Sequence, residues 1–527
     1  DRYLNGTLDD LYDPMLLKDM ERAVSILCEA VDTGKKIRIV GDYDIDGVCS
    51  TYILLQAFER LGSDVDFEIP DRIKDGYGIN ESIIEQAHAD GVEVILTCDN
   101  GISAFHQVEL AKKYGMTVVI TDHHEVPLDG EKEKIPPADA VIDPKQADCP
   151  YPFPEICGAV VAYKLVQVLY ARRGVPQMEW LDLLEFAAIA TVGDVMKLQD
   201  ENRILVKYGL KKMAQTKNLG LRRLAEKNNL DLGAITAYHI GFVIGPCLNA
   251  GGRLKTAKEA LALLRAQSEE EAERLAEELK ELNDTRKDMT EQGTEAAKLQ
   301  VESWYQKDKV LVVFLPECHE SLAGIIAGRL REYYQKPAIV LTRGEEAVKG
   351  SGRSIDEYHM FKKLTEVSDL LLKFGGHPLA AGLSLEEKNI DEFRRRLNEN
   401  AGLTEEDFKA KVWIDVPMPV GYVTERLVRE LSCLEPFGQG NEKPLFAEKS
   451  LRIRTSRVLG RNRNVVKMTL EETDGHAIEA LYFGDGTAFE EERAGRREID
   501  VVYYPDINEY NGRKTLQAVI RRYKFRG

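Results

Sequence analysis

The stretch that decides the fold is Lys36-Ile37-Arg38-Ile39-Val40-Gly41-Asp42-Tyr43-Asp44-Ile45-Asp46-Gly47, an apolar run that passes directly into three alternating carboxylates. The β-branched run predicts a short buried strand. Side chains at i, i+2 and i+4 of an extended segment point the same way, so Asp42, Asp44 and Asp46 would crowd one face. Crowded carboxylates are costly unless a cation neutralises them. The segment does not fit an EF-hand loop, because Ile53 stands at the twelfth position.

Working outward, apolar runs alternate with helical patterns through the first third of the chain. Helices are expected at Val48–Leu61 and Ala104–Tyr114. Four more strands are predicted, at Val65–Ile69, Val92–Leu96, Met116–Ile120 and Ala140–Ile142. Strands that alternate with helices of this length predict the α/β class, here a parallel, doubly wound sheet.

Two of these additional strands also end in polar residues. Thr97-Cys98-Asp99-Asn100-Gly101 follows one, and Thr121-Asp122-His123-His124 follows another. A single strand-end Asp is usually a helix N-cap, but ligands of open α/β sheets bind at the carboxyl ends of the strands, where all three clusters would meet. Carboxylate and imidazole without thiolate favour Mn²⁺ or Mg²⁺ over structural zinc. So many acidic ligands predict two ions, roughly 3.5–4 Å apart, as in phosphodiester hydrolysis.

Composition restricts the class of protein. The 527 residues are 43% hydrophobic and 30% charged, which is typical of several folded domains rather than a disordered chain. No apolar run suits a membrane span, and eight scattered cysteines without a CxxC pair favour a reducing, cytoplasmic location. The net charge is −18, yet residues 449–527 carry 16 Lys and Arg against 12 Asp and Glu. The first residue is Asp1, so we expect the native protein to begin upstream.

Three quoted segments resemble the first three motifs of the DHH phosphoesterase superfamily: Asp42–Gly47, Asp99–Gly101 and Asp122–His124. Ala190-Thr191-Val192-Gly193-Asp194-Val195 resembles the fourth, which ends in a metal-binding Asp. The likeness spans nearly the whole chain and is greatest to the RecJ family of single-strand-specific 5′→3′ DNA exonucleases. It implies two Mn²⁺ or Mg²⁺ ions and the metal ligands Asp42, Asp44, Asp99, His123 and Asp194, with Asp46 and His124 as further ligands or as partners of the ligands. The implied catalytic residues are Asp44, Asp99, His123, His124 and Asp194.

Segments of the second half resemble the family's substrate-binding motifs. They are Pro246–Arg253, His319–Arg329, Gly350–Ser354 and Gly375–Gly382. Glycines in the last two would let backbone N–H groups approach a phosphate, and Arg offers a bidentate fork. The resemblance implies the following phosphate- or DNA-binding residues: Arg72, Asn249, Arg253, Arg286, His319, Ser351, Arg353 and His377.

The same resemblance divides the chain into four domains. We expect a DHH domain at 1–200, a helical connector at 201–306, a smaller α/β DHH-associated domain at 307–402, and an OB-like β-barrel that binds nucleic acid at 403–527. The implied function is exonucleolytic hydrolysis of single-stranded DNA to 5′-mononucleotides in DNA repair and recombination. Single-strand-binding protein or a helicase would be partners, and no membrane is involved.

Two alternatives stay open at this level. One is a DHH phosphodiesterase for short oligonucleotides or cyclic dinucleotides. Such enzymes generally lack the OB-like region, so the roughly 120 residues after Gly402 argue against it. The other is an inactive DNA-binding relative. Such relatives lose metal ligands, whereas this chain keeps the full acidic and histidine set.

Overall fold

The structure, a computed structural model, describes residues 1–72, 74–510 and 513–526. The chain forms two compact units. We call residues 12–196 and 208–410 the larger unit, and residues 1–11, 197–207 and 411–527 the smaller unit. No helix in the described part of the chain is both long and apolar enough to cross a bilayer. The four predicted domain limits stay predictions.

The larger unit begins with an all-parallel sheet of five strands, as predicted. The strand order is Val65–Glu68, Ile37–Val40, Val94–Cys98, Thr117–Thr121 and Ala140–Ile142. The predicted limits are met to within two residues. The three central strands are almost wholly buried, which explains why they are continuous apolar runs rather than alternating ones. All five carboxyl ends therefore lie at one edge.

The second sheet of the larger unit is mixed. Its order is Leu371–His377, Ala380–Leu385, Val348–Arg353, Ala338–Arg343 and Leu311–Phe314. Only the last two strands are parallel, and the other neighbours pair antiparallel. Ile339, Leu341, Leu383 and Phe393 belong to its core. It includes a unit of strand, helix and strand, Leu311–Phe314, Ala323–Tyr334 and Ala338–Arg343, which agrees with the α/β class expected for this region.

The charged stretch between the two sheets is one long helix, Glu269–Gln300, within the region expected to be a helical connector. Ser268 caps its amino end by accepting the N–H of Glu271 at 3.2 Å. Three glutamates in the first turn complement the helix dipole. With neither Pro nor an internal turn signal, the helix continues without interruption.

The remaining described α-helices are distributed over both units. They are Arg2–Asn5, Met20–Asp32, Ile45–Arg60, Glu81–Ala89, Phe105–Lys113, Gly158–Arg172, Gln177–Leu181, Leu184–Gly193, Asp200–Met213, Leu219–Lys227, Ala237–His239, Gly245–Leu254, Lys258–Arg265, Met360–Thr365, Ile390–Glu399, Glu425–Leu431 and Gly486–Arg493.

The smaller unit contains the predicted β-rich region. Its main strands are Phe446–Leu459, Val465–Glu471, Ala477–Phe483, Glu498–Tyr510 and Arg513–Arg526, with the short strand Val416–Pro417 at one end. Phe446–Leu459 pairs with both Val465–Glu471 and Glu498–Tyr510, so the five long strands close into a ring. Leu451, Val466 and Phe489 are buried inside it.

Candidate metal centre and basic cavity

The acidic loop after strand Ile37–Val40 is held by two helix amino ends. Asp44 caps helix Ile45–Arg60, and its Oδ1 accepts the N–H groups of Asp46 at 3.0 Å and Gly47 at 3.1 Å. Both carboxylate oxygens of Asp46 accept N–H groups at 2.7 Å from residues 158 and 159, which begin helix Gly158–Arg172. Helix amino ends favour anions. The loop therefore keeps two neighbouring carboxylates in one orientation.

Asp99 follows the neighbouring strand in a left-handed conformation with φ of +61°. Gly158 packs so closely on it that a Cβ there would lie 2.7 Å from the Cβ of Asp99. The buried amide of Asn100 donates to the carbonyls of Val40 at 3.1 Å and Cys98 at 2.9 Å. Asn100 thus ties two strand ends together and fixes the place of Asp99.

His123 lies among carboxylates from three other elements. Its Nε2 is 3.1 Å from Asp99 Oδ1, 3.4 Å from Asp46 Oδ2 and 3.9 Å from Asp194 Oδ2. Asp194 C-caps helix Leu184–Gly193. The imidazole is buried, and its Nδ1 forms no hydrogen bond with any described residue. Residues from four elements, far apart in sequence, thus meet at one point.

His124 has a different environment. Its Nδ1 is 2.7 Å from Asp122 Oδ1, and Tyr77 Oη is 3.1 Å from the ring nitrogens. Tyr77 also donates to the carbonyl of Asp99 at 2.7 Å. Burial lowers the pKa of His124, but the hydrogen bond to Asp122 and the nearby carboxylates outweigh burial and raise it to about 9.

Asp122 supports both histidines. Its Oδ1 also accepts the N–H of His123 at 2.7 Å, and its Oδ2 accepts the N–H of Ile102 at 2.9 Å. Asp122 and Tyr77 had no predicted role. Asp122 stands inside the quoted Asp-His-His motif, whereas Tyr77 lies in none of the quoted motifs, and neither residue type by itself indicates support of a ligand.

The donor set fits divalent cations. Burial, and then the neighbouring carboxylates, raise the pKa values of Asp42, Asp99 and Asp194 well above their usual range. Asp42 Oδ2 is buried and accepts no hydrogen bond from the described residues. Ligand atoms lie within 4.8 Å of one another in three sets, namely Asp42, Asp44 and Asp99; Asp46, His123 and Asp194; and Asp99, His123 and His124. Asp99 belongs to two of these sets, which suits two ions side by side.

A cavity of about 780 Å³ lies next to this centre in the larger unit. Four of the residues implied by resemblance line it, namely Arg72, Arg253, Ser351 and Arg353. Tyr43, which stands between Asp42 and Asp44, lines it as well. The cavity and the acidic centre therefore share one loop.

The arginines of the cavity are held by neutral groups. Arg253 donates to the carbonyl of Ser321 at 3.0 Å, and Arg353 donates to Ser351 Oγ at 3.2 Å and to the carbonyl of Gly352 at 2.7 Å. The guanidinium of Arg72 lies 4.9 Å from the centre of the Tyr43 ring. None of the three arginines pairs with a carboxylate in the described part of the chain.

Burial lowers the pKa of Arg253 to about 10, and the charges of Arg72 and Arg286 contribute. Burial, and then the charge of Arg331, lower the pKa of Arg353. Partly desolvated cations without counterions would be stabilised by an anion, and Arg matches the oxygens of a phosphate.

Gly350, Gly375 and Gly382 line the basic cavity, and the expectation that their backbone approaches a phosphate stays a prediction. Gly350–Arg353 belong to a central strand that pairs with a neighbour on each side. A Cβ on Gly350 would lie 2.5 Å from Leu341 Cδ2, so packing demands this glycine. A Cβ on Gly324 would lie 2.9 Å from Ser351 Oγ and 2.8 Å from Arg353 Nη2. Gly324 thus leaves room for the two polar side chains.

Four of the predicted phosphate- or DNA-binding residues do not line this cavity. Asn249 is half-buried on helix Gly245–Leu254, and Arg286 donates to Asn283 Oδ1 at 2.7 Å. The Nδ1 of His319 is 2.7 Å from Ser321 Oγ, and this side chain lines a separate cavity of about 350 Å³. His377 is exposed at a strand end. Their roles stay predictions.

Aromatic side chains of the smaller unit divide into core and surface. Tyr503 is buried and donates to the carbonyl of Met418 at 2.9 Å, and Tyr482 packs against Phe489. Phe483 is 61% exposed. Arg454 forms an ion pair with Glu471. An exposed ring suits stacking on a single strand better than the buried tyrosine does.

Three segments of the chain match known domain families. Residues 36–191 match the DHH family N-terminal domain, residues 307–402 the DHHA1 domain, and residues 414–522 the RecJ OB domain. The single-stranded-DNA-specific exonuclease RecJ of Bacillus subtilis is 38% identical over 97% of this chain, which spans 64% of that protein's length. The protein of the same name from Haemophilus influenzae is 33% identical over 98% of this chain and 92% of its own length. The Escherichia coli protein is 35% identical over 96% and 90%.

Solved structures agree. The crystal structure of RecJ from Thermus thermophilus in complex with Mn²⁺ is similar over all of this chain and 74% of its own, with a TM-score of 0.85 and 29% identity. A crystal structure of exonuclease RecJ bound to manganese covers 74% of this chain and 96% of its own, with a TM-score of 0.64 and 33% identity.

Proposed function

Because this chain belongs to the RecJ family, we propose that it hydrolyses single-stranded DNA from the 5′ end and releases 5′-mononucleotides. The observation that carries the proposal is the shared loop. Asp42 and Asp44 face the acidic centre, while Tyr43 between them lines the cavity that holds Arg72, Arg253 and Arg353. A terminal phosphate bound by these arginines would bring the next phosphodiester to the acidic centre.

Asp42, Asp44, Asp99 and Asp194, with His123, would hold two Mn²⁺ or Mg²⁺ ions. When bound, the ions supply the positive charge that activates water and stabilises the leaving oxygen. Asp46 is placed by the amino end of helix Gly158–Arg172 and completes the second group of ligands.

Two further groups position the reacting atoms. Asp122 orients His123 and His124 through three hydrogen bonds. We assign to His124 a place beside the scissile phosphate, because its hydrogen bonds with Asp122 and Tyr77 fix the orientation of its ring. Fixed groups of this kind cost no reorganisation during the reaction.

The cavity would bind a phosphorylated chain end, and the family resemblance supplies the 5′ polarity. Ser351 and the three arginines offer donors to a phosphate monoester, which only a chain terminus carries. A 5′-terminal phosphate would be anchored there, and one nucleotide would separate it from the bond that is cut. The smaller unit, with its OB domain match and exposed Phe483, would bind the strand that follows.

The two alternatives from the sequence are less well supported. A phosphodiesterase for short oligonucleotides would not need residues 414–522, which match a RecJ OB domain. An inactive relative would not need to retain the complete acidic and histidine set. Roles in DNA repair and recombination, a cytoplasmic location, and partnership with single-strand-binding protein or a helicase belong to this proposal too.

The test uses a 20-nucleotide single strand labelled at one end. With Mn²⁺, the 5′-phosphorylated strand should release labelled mononucleotide from its 5′ end, and the 5′-hydroxyl strand should react at least about tenfold more slowly. EDTA should stop both reactions. Release from the 3′ end, equal rates on the two strands, or equal rates on blunt duplex would contradict the proposal.

A further inference from the structure

A second cavity, of about 380 Å³, lies in the larger unit apart from the metal centre and the basic cavity. Tyr52 lines it from helix Ile45–Arg60, and Glu185 and Phe186 line it from helix Leu184–Gly193. None of the metal ligands or phosphate-binding residues assigned above contributes to it. Its volume is in the range of small-molecule sites.

Glu185 gives this cavity a polar floor. The residue is only 4% exposed, and its Oε1 accepts a hydrogen bond from Thr216 Oγ1 at 2.6 Å. Its Oε2 is buried and has no hydrogen-bond partner among the residues that the structure describes. A buried carboxyl oxygen without a donor is costly. A ligand with N–H groups would satisfy this oxygen and the free lone pair of Oε1.

The walls favour a flat ligand. The rings of Tyr52 and Phe186 have centroids 4.3 Å apart, and both side chains line the cavity. The amide of Asn218 donates to Tyr52 Oη at 3.1 Å and to the carbonyl of Leu264 at 2.7 Å. Because these donors are engaged, the group left for a ligand is an acceptor, the carboxylate of Glu185. A ligand that satisfies this carboxylate must therefore bring its own donors, and the two rings, tilted by 49°, offer an apolar surface to the rest of it.

Charged side chains surround the mouth of the cavity, and most of them are paired. Arg60 forms an ion pair with Glu179, and Arg265 forms one with Glu59. Lys212 and Lys217 share Asp182, so this group keeps one cation in excess, and the side chain of Lys217 is 83% exposed. That excess favours a ligand with an anionic group outside its ring.

We propose that this cavity binds a guanine nucleotide. N1–H and the exocyclic amine of guanine form an adjacent pair of donors that matches the carboxylate of Glu185. The purine would lie against Tyr52 and Phe186, and the phosphate would meet Lys217 at the mouth. Adenine presents an acceptor at N1 in place of a donor, so the site should discriminate against it.

The two helices that line the cavity also reach the metal centre. Helix Ile45–Arg60 carries Asp46 at its start, six residues before Tyr52, and helix Leu184–Gly193 ends at Asp194, eight residues after Phe186. At 1.5 Å per residue these separations are about 9 and 12 Å. Provided the proposed nuclease function holds, guanine nucleotide at this site should change the rate of DNA hydrolysis.

Binding is tested first, by calorimetry with GMP and AMP on the full chain in EDTA. We expect saturable binding of GMP and at least about tenfold weaker binding of AMP. Glu185→Gln should weaken GMP binding at least about tenfold. Arg353→Ala should weaken any phosphate binding in the basic cavity, which GMP and AMP share, and should leave the guanine-selective binding in place. This control excludes nucleotide bound in the basic cavity.

Stability separates a binding role from a structural one. Burial raises the pKa of Glu185 to about 7, so Glu185→Gln removes a buried charge and should not lower the unfolding temperature at pH 8. Lys217→Ala serves as a second, exposed variant, which should weaken binding of GMP but not of guanosine. The proposal would be overturned if GMP did not bind or if AMP bound with equal affinity. It would also be overturned if Glu185→Gln left GMP binding unchanged, or if Arg353→Ala abolished the selectivity for GMP. None of these measurements requires DNA hydrolysis, so an inactive nuclease would leave the result standing.

Discussion

The metal centre and the basic cavity are neighbours of opposite charge, and they are built in opposite ways. The carboxylates arise mainly from successive strand ends of one sheet, and backbone N–H groups hold several of them. The arginines come from distant elements and are held by a serine, carbonyls and a tyrosine ring. Each cluster lies close to the other, yet Arg253 and Arg353 form no ion pair with Asp42 or Asp44. Because the two clusters do not neutralise each other, the charge of each remains available to a ligand.

The largest expected effect comes from Asp99, which shares one candidate cation set with Asp42 and Asp44 and whose Oδ1 also lies 3.1 Å from His123 Nε2. Asp99→Asn should lower the rate of mononucleotide release by at least about a thousandfold, because one neutral amide weakens both sets. Asp129→Asn, in the exposed hairpin strand Leu128–Asp129, is the matched control and should keep full activity. The rate is measured with saturating Mn²⁺. If Asp99→Asn released mononucleotide at a rate within tenfold of the parent's rate, the prediction of a shared ligand would be wrong.

The next effect separates the cavity from the centre. Arg353→Ala should raise KM for a 5′-phosphorylated strand about 10- to 100-fold and leave the 5′-hydroxyl strand nearly unchanged, because one charge-assisted contact is lost. Arg343→Ala, on the same sheet but outside the cavity, provides the control. Steady-state kinetics on both strands supply the comparison. Equal losses on the two strands would show that Arg353 does not recognise the terminal phosphate.

A smaller effect should follow from the residue that supports the histidines. Asp122→Asn keeps the shape but loses the charge that orients His124, so kcat should fall about 10- to 100-fold and more Mn²⁺ should be needed. Activity is titrated against Mn²⁺ in the parent and the variant. Parental activity with an unchanged Mn²⁺ requirement would assign Asp122 a purely structural role.

The smallest effect concerns stability. Carboxyls whose pKa is raised in the folded chain bind protons more tightly when folded, so in EDTA the contribution of Asp42, Asp99 and Asp194 to unfolding free energy should increase as pH falls from 8 toward 5. Bound Mn²⁺ should raise the unfolding temperature at pH 8, and should do so less at pH 5 because protons compete. Thermal unfolding at both pH values checks this. Asp99→Asn should flatten the dependence in EDTA, and an equal slope in this variant would contradict the crowding argument.

Periodicity and residue type were enough to locate the first sheet and its carboxylates. Strand Ile37–Val40 is buried on both faces, so its apolar run is unambiguous, and parallel strands place their carboxyl ends at one edge. The second sheet was only partly predicted. Val348–Arg353 and Leu371–His377 contain glycines that weaken any strand signal, and their places depend on packing against Leu341 and Ala381.

What the sequence by itself determined is therefore local. An apolar strand followed by alternating carboxylates already implies a cation, because like charges at this spacing cannot be buried together without one. Only the tertiary structure decided which groups stand opposite each other. It brought Asp194 within 3.9 Å of His123, placed Asp46 on the amino end of a distant helix, and gathered Arg72, Arg253 and Arg353 in one cavity. These contacts join residues far apart in the chain, and a local sequence pattern does not encode which distant residues meet.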